Sequence, residues 1–338
     1  MSLDSSLVPP NWHTRSILTD AIMGKAPSFR QLDKKIVKAF FYKHDPELAK
    51  QARDDLQDIF NYIIQQAEKD ARPLVLKEEL FCYRLLTYFP FLIPDGETVE
   101  FPFEIDGRVK KVAYKFERIE LTDDKLISPI VAYGLVAKDF PSLLVFKGTT
   151  FPGDDGFARS LLADFTPNNS VGGSILKNPS DQLKNWVSDK KGLIVTGISL
   201  GGSLAQHFGV EFPDITSKIY AFSAPRLIQS EIKENAPRCI RVNTKGDIVS
   251  KVGDSSLPNT TTYEIDTDEK YNLFWRHILA PESHESKEIS EKETEEISIF
   301  NRLHRIFSPL IYAIMSIAIS VFLYMTSLYK AATRLLKT

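Results

Sequence analysis

Cysteine is scarce in this sequence, and neither sign of charge dominates it. Only Cys82 and Cys239 occur among 338 residues. Two thiols that far apart cannot build a disulfide framework or a cysteine-rich zinc site, and they suit a reducing compartment. Lys and Arg total 42 against 44 Asp and Glu, a formal net charge of −2, so there is no overall basic excess of the kind a nucleic-acid binder shows. With 16 Gly and 19 Pro the chain is neither collagen-like nor dominated by linkers. The patterns H-E-x-x-H, G-x-x-x-x-G-K-[ST] and G-x-G-x-x-G are missing, so no metal and no nucleotide cofactor is expected. The first 25 residues carry Asp4, Pro9, Pro10, Arg15 and Asp20 and have no apolar run of the length a secretory signal needs. What remains is 43% hydrophobic and 25% charged, enough to fold and bury a core. The length allows one large domain with appendages or two modest ones.

One long apolar run is present, near the C-terminus. Ile306 to Tyr329 are 24 consecutive uncharged residues. As a helix they would reach about 36 Å, against a hydrocarbon core of about 30 Å. Pro309 stands near the start, where its missing N–H costs little. Arg302 and Arg305 flank one end, Lys330, Arg334 and Lys337 the other, and Tyr312, Tyr324 and Tyr329 fall where headgroups would lie. A buried core helix is the alternative, but core helices rarely run past about 18 residues without a charge. The expectation is a single C-terminal transmembrane anchor over 306–329, with the catalytic part of the chain in the cytosol.

Residues 29–70 have helical apolar spacing in two runs, Leu32, Ile36, Ala39, Phe40 and then Leu56, Ile59, Phe60, Ile63, Ile64, separated by Asp45-Pro46. Residues 80–93 are aromatic-rich, contain Arg84 and read as buried core. From Val99 the period changes to two: VEFPFEID, Gly107 and RVKKVAYKFERIEL predict a hairpin. IVAYGLVAK, the turn DFPS and LLVFKGTT predict a second strand pair. Then come GLIVTG (192–197), a helix from SLGGSLAQHFGVEF, SKIYAFSAP (217–225) and CIRVNTKGD (239–247). Strands alternating with helices predict an α/β fold with a mainly parallel sheet. Residues 282–298 hold seven Glu against Lys287 and Lys292 and read as a solvated spacer or exposed helix. The expected organisation is an N-terminal helical and β-hairpin extension over 1–125, a core over 126–281, the acidic spacer over 282–305 and the anchor.

The sharpest local signal is Gly197-Ile198-Ser199-Leu200-Gly201-Gly202, set between the apolar strand LIVT and a helix. This is the strand–turn–helix setting of a nucleophile elbow, whose tight turn demands small residues two before and two after the serine. A serine hydroxyl needs a base, and in an α/β-hydrolase the partners follow in the order Ser, acid, His. Asp247, just past a strand end, is the preferred acid; Asp254, Asp266 and Asp268 compete from poorer strand context. His277 and His284 are the candidate bases. His277 follows the strand-like stretch YNLFW and is preferred, whereas His284 lies in the acidic segment. His207 is on the elbow helix facing away, and His304 abuts the apolar run and is set aside. An oxyanion hole needs a donor after the serine, the Leu200 N–H, and one from an earlier strand end, the Thr149 N–H in FKGTT.

LLVFKGTT, SLLADFTP, LIVTGISLGGSLA, YAFSAPRL and RVNTKGDIVSKV, in this order, resemble the class 3 (fungal-type) lipase family across roughly residues 128–280. The resemblance implies an α/β-hydrolase fold, a Ser–Asp–His triad and action on acyl esters of lipids. It assigns the nucleophile to Ser199, the acid to Asp247 and the oxyanion donors to Thr149 and Leu200. Three positions depart from the family pattern: Ile198 stands for a histidine, Lys147 for an arginine and Ser250 for a proline. His277 lies only 30 residues after Asp247.

The segment TFPGDDGFARSLLADF has Gly153 and Gly156 as hinges and Phe157, Leu161, Leu162 and Phe165 as an apolar face, the pattern of a lid. The sequence thus reads as a membrane-anchored serine hydrolase acting on lipid esters without a cofactor. Two rivals remain: an inactive hydrolase fold used as a tail-anchored interaction protein, and an esterase or thioesterase for small acyl groups. The N-terminal region reads either as a helical cover or as a site for a protein partner.

Overall fold

The computed structural model describes residues 46–92, 96–123, 129–150, 156–166, 169–265, 277, 286–289 and 302–317. The first predicted helical run, residues 29–40, the stretch YNLFW, His284 and the second half of the expected anchor lie outside the described residues.

Among the described residues nine strands form one sheet whose spatial order is the chain order. β1 (Thr98–Ile105) and β2 (Arg108–Glu120) are the predicted hairpin, closed by Asp106 and Gly107 at φ 50° and 69°. Two successive left-handed residues give the turn whose twist matches antiparallel strands. β2 pairs antiparallel with β3 (Val131–Val136), and β3 with β4 (Leu143–Phe146). From β4 the ladder is parallel through β5 (Leu193–Ile198), β6 (Thr216–Phe222), β7 (Arg238–Thr244) and β8 (Thr260–Ile265). β8 is not expected from the sequence pattern, and neither is a strand in the acidic spacer, where β9 (Ser286–Ile289) pairs antiparallel with β8. These four residues are therefore edge strand rather than solvated spacer or helix.

Period two on the central strands sends alternate side chains to two cores. Leu193, Val195, Ile219, Ala221 and Cys239 point to one face; Ile198, Tyr220, Phe222, Ile240 and Val242 to the other. The second face is covered by α1 (Pro46–Lys69) and α2 (Leu76–Leu86). Pro46 opens α1, as proline can at a helix start. α2 is fastened to the sheet by Tyr83, whose ring stacks on Tyr220 at 4.0 Å, and by Glu79, which pairs with Lys218 at 2.6 Å and accepts from the Tyr220 hydroxyl. The described part of the N-terminal extension thus shares the sheet and its core. Cys82 and Cys239 are free and buried in opposite cores.

The first face carries α3 (Phe157–Asp164), α4 (Gly173–Lys177), α5 (Asp181–Val187) and α6 (Leu200–Glu211). A mixed sheet with helices on both faces fits the α/β-hydrolase arrangement. A further helix, α7, spans 302–317. Among the described residues no helix is long and apolar enough to cross a membrane.

Candidate active site

In an open parallel sheet the crevice outside the carboxyl ends of the strands is where function collects. Thr149, Ser199 and Asp247 each lie one to three residues past such an end, after β4, β5 and β7 respectively.

Ser199 has φ 56° and ψ −126°, a region that β-carbon-bearing residues avoid, and it sits between β5 and α6. Strain of this kind persists only where the surroundings impose it. Here they do. A β-carbon on Gly197 would lie 2.2 Å from the Gly201 oxygen, and one on Gly201 would lie 2.3 Å from the Phe146 oxygen. The two glycines let the turn close on itself and let β4 pass directly beside it. The Ser199 N–H donates to the Phe222 oxygen at 2.9 Å, and its carbonyl accepts from Ser203 N–H at 3.1 Å, so the main chain is held on both sides.

His277 Nε2 lies 2.8 Å from Ser199 Oγ. Its other ring nitrogen, Nδ1, lies 3.0 Å from Asp247 Oδ2 and 3.2 Å from Oδ1. A carboxylate on Nδ1 favours the tautomer with the proton there, which leaves Nε2 a lone pair facing the serine hydroxyl. Asp247 is fully buried, and its Oδ1 accepts from the Val249 N–H at 2.9 Å. The turn is closed by Ser250, whose hydroxyl donates to the Asp247 carbonyl at 2.9 Å, at the position where the resembled family has proline. Behind it Arg241 is buried on β7. It donates to the Ala224 carbonyl at 2.6 Å and the Ser256 hydroxyl at 3.2 Å, and burial pushes its pKa down to about 10. A buried cation without a carboxylate in its hydrogen bonds is costly; Arg241 offsets that by tying the loops after β6 and β7 together.

Leu200 opens α6, where the first N–H groups have no acceptor within the helix and the dipole favours negative charge. On the other side Gly148 lies beside the elbow: a β-carbon there would lie 3.0 Å from the Ile198 oxygen and 3.9 Å from the Ser199 β-carbon. Thr149 follows immediately. Its hydroxyl donates to Asp164 Oδ2 at 2.8 Å. Asp164 is the last residue of α3, and its carboxyl is pushed up to about 7 by burial, against the lowering effect of the Thr149 bond. In the sequence the Ala163-Asp164 pair stands out only as part of a motif, which gives Asp164 no role.

The unfolded chain ionises the Asp164 carboxyl near 3.8, the folded one near 7. Between those values rising pH favours the unfolded state, because only there is the ionised form well solvated. Asp164→Asn keeps an acceptor for Thr149 and removes the charge. Its thermal midpoint relative to the parent is expected to rise across that window and then level off; a difference independent of pH would show that the carboxyl titrates alike in both states.

The remaining candidates lie elsewhere. Asp254 accepts from the Gln229 N–H at 3.1 Å and pairs with Arg305. Asp266, Asp268 and His284 lie outside the described residues. His207 is buried, its Nε2 lacks a hydrogen-bond partner among the described residues, and burial pushes its pKa down to about 4. Ile198, where the resembled family has histidine, is buried against the α1 and α2 side. Lys147 is 7% exposed with its ammonium 4.6 Å from the Phe91 ring centre. Of the expected lid, α3 is a helix with Leu161 and Leu162 half-buried. Gly156 is packed so that a β-carbon would meet the Pro129 oxygen at 2.6 Å; Gly153 lies outside the described residues. No group of metal-ligating side chains occurs among the described residues.

No protein-family model matches the chain, and no curated protein matches it. Among solved structures it is similar to a triacylglycerol lipase from Penicillium expansum, at 16% identity and a TM-score of 0.35, over 56% of this chain and 80% of that one. A lipase from Yarrowia lipolytica matches at 15% identity and a TM-score of 0.33, over 59% and 80%. A thermostable esterase matches at 11% identity and a TM-score of 0.25, over 54% and 58%. Likenesses this slight carry no weight beside the geometry of the site.

Proposed function

We propose that this chain is a serine hydrolase that cleaves carboxylic esters of lipids through an acyl-enzyme, held to a membrane by residues 306–329 with its catalytic part in the cytosol. The observation that carries the reading is the continuous contact Ser199 Oγ, His277 Nε2, His277 Nδ1, Asp247. His277 takes the hydroxyl proton as Ser199 Oγ attacks the ester carbonyl. Asp247 stabilises the imidazolium that forms. The negative charge on the former carbonyl oxygen falls to the N–H groups of Thr149 and Leu200. His277 then gives its proton to the departing alcohol, leaving the acyl group on Ser199. Water, deprotonated by the same nitrogen, releases the acid.

The ester class is tested with nitrophenyl esters of rising chain length, with and without detergent micelles. Turnover that grows with chain length and with micelles supports a lipid substrate. Turnover confined to short chains in free solution would make this an esterase or thioesterase for small acyl groups instead.

Anchoring is supported by the uncharged run and by α7, whose Ile306, Phe307, Leu310, Ile314 and Ile317 are 48–67% exposed. Leaving such side chains in water is unfavourable; hydrocarbon accepts them. Removing residues 306–338 is expected to turn a protein that resists alkaline carbonate extraction into a soluble one. Full-length protein that is soluble without detergent would count against the anchor.

A further inference from the structure

α7 does more than carry the first part of the apolar run: its start touches the oxyanion side of the site. His304 Nε2 lies 2.9 Å from the main-chain oxygen of Asp164, and its ring stacks on Phe165 at 5.8 Å with 20° between planes. A ring nitrogen facing a carbonyl must carry the proton, so His304 donates. The carbonyl it reaches is at the last residue of α3, where helix carbonyls have no partner of their own. His304 therefore satisfies the C-terminal end of α3 from outside. One residue on, Arg305 pairs with Asp254, in the loop that follows the Asp247 turn, and Ser308 is buried. Leu303, Ile306, Phe307, Leu310, Ile314 and Ile317 of the same helix stay exposed.

The residue held by His304 is the one that holds Thr149. Asp164 offers its carbonyl to the His304 ring at 2.9 Å and its carboxyl to the Thr149 hydroxyl at 2.8 Å. Three residues from three separate parts of the chain thus form one line, through both the main chain and the carboxyl of Asp164, from α7 to the strand end beside Ser199.

We propose that this line couples the seating of the C-terminal helix to the oxyanion hole, with His304 as a positioning residue acting through Asp164 on Thr149. The inference rests on the serine-hydrolase reading above. When α7 is seated, α3 ends in a satisfied turn, the Asp164 carboxyl is fixed, and the Thr149 N–H is held where charge develops. When α7 is displaced, Asp164 loses its external donor, and the carboxyl that holds Thr149 is no longer fixed. Binding of substrate need not change, because the affected donor acts on the transition state. Loss of one oxyanion donor outright costs roughly a hundred- to a thousand-fold in kcat, so its misplacement should cost less.

The test uses full-length protein in detergent micelles with a short-chain nitrophenyl ester. His304→Ala is expected to lower kcat about ten-fold or more, below that ceiling, with KM unchanged. His304→Gln, whose amide keeps an N–H donor, should recover most of the loss. Poor folding would also lower activity in His304→Ala, so a second break is made at the other contact. Arg305→Asp should lower kcat in the same way, and pairing it with Asp254→Arg should restore it. The rate at which a fluorophosphonate phosphonylates Ser199, with loss of fluoride, should fall by the same factor as kcat in each weakened variant. Parental kcat in both His304→Ala and Arg305→Asp would overturn the coupling, as would a glutamine variant no better than alanine. Parent protein that is folded but not labelled at Ser199 would instead overturn the hydrolase reading on which the coupling rests.

Discussion

Ser199→Ala is expected to lower ester turnover by about four to six orders of magnitude, to the level that the oxyanion donors and substrate binding supply alone. The size follows from the site. Ser199 Oγ is 2.8 Å from the base, and alanine leaves nothing for an acyl group to bond to. Folding should be untouched. Alanine bears the same backbone strain as serine at φ 56°, and the bonds that hold the elbow, to the Phe222 oxygen and from the Ser203 N–H, belong to the main chain. The thermal midpoint should therefore stay near the parent's while activity disappears. Substantial turnover in the variant would place the nucleophile elsewhere.

His277→Ala should be nearly as severe, about four orders of magnitude, because both halves of the proton transfer pass through one ring. Without it the serine keeps its proton, and the buried Asp247 carboxylate loses the donor that lies 3.0 Å away. His284→Ala should leave turnover at the parental level. Glu282 and Glu285 flank it in sequence, inside the acidic segment and away from any apolar strand-like stretch. The comparison is made on detergent-solubilised protein with a short-chain nitrophenyl ester, which limits effects of the membrane and of α3. The reverse pattern would move the base to His284, and full activity in both variants would remove the triad.

The parts of the site that are local in sequence are legible in it. Gly197, Ser199 and Gly201 announce a turn that only small residues permit, and the short contacts at both glycines show why. Asp247 is readable because polar residues close a strand, and Thr149 because LLVF is a continuous apolar run with a defined end. His277 carries no motif. Nothing near it in the sequence encodes the approach to Ser199, which spans 78 positions. The same holds for His304, whose neighbour in sequence is the apolar run but whose partner lies 140 positions away. β8 escapes the sequence pattern for a different reason. TTTYEI is half-buried along most of its length, so it has no apolar alternation, and its β-branched residues are the only cue. β9 escapes it because its composition is that of a solvated segment; edge strands carry charge, and pairing on one side needs no apolar face. The N-terminal hairpin reads as a hairpin, but its place in the sheet depends on β2 meeting β3 at Glu120 and Val131, a register that no local pattern specifies.

That Ser199 is an activated nucleophile is tested most directly by treating the folded full-length protein with a fluorophosphonate and mapping the adduct by peptide mass spectrometry. The expected result is one phosphonyl group per chain on Ser199, absent in Ser199→Ala and formed far more slowly in His277→Ala. A folded protein that takes no label, or takes it on another residue, would contradict the assignment.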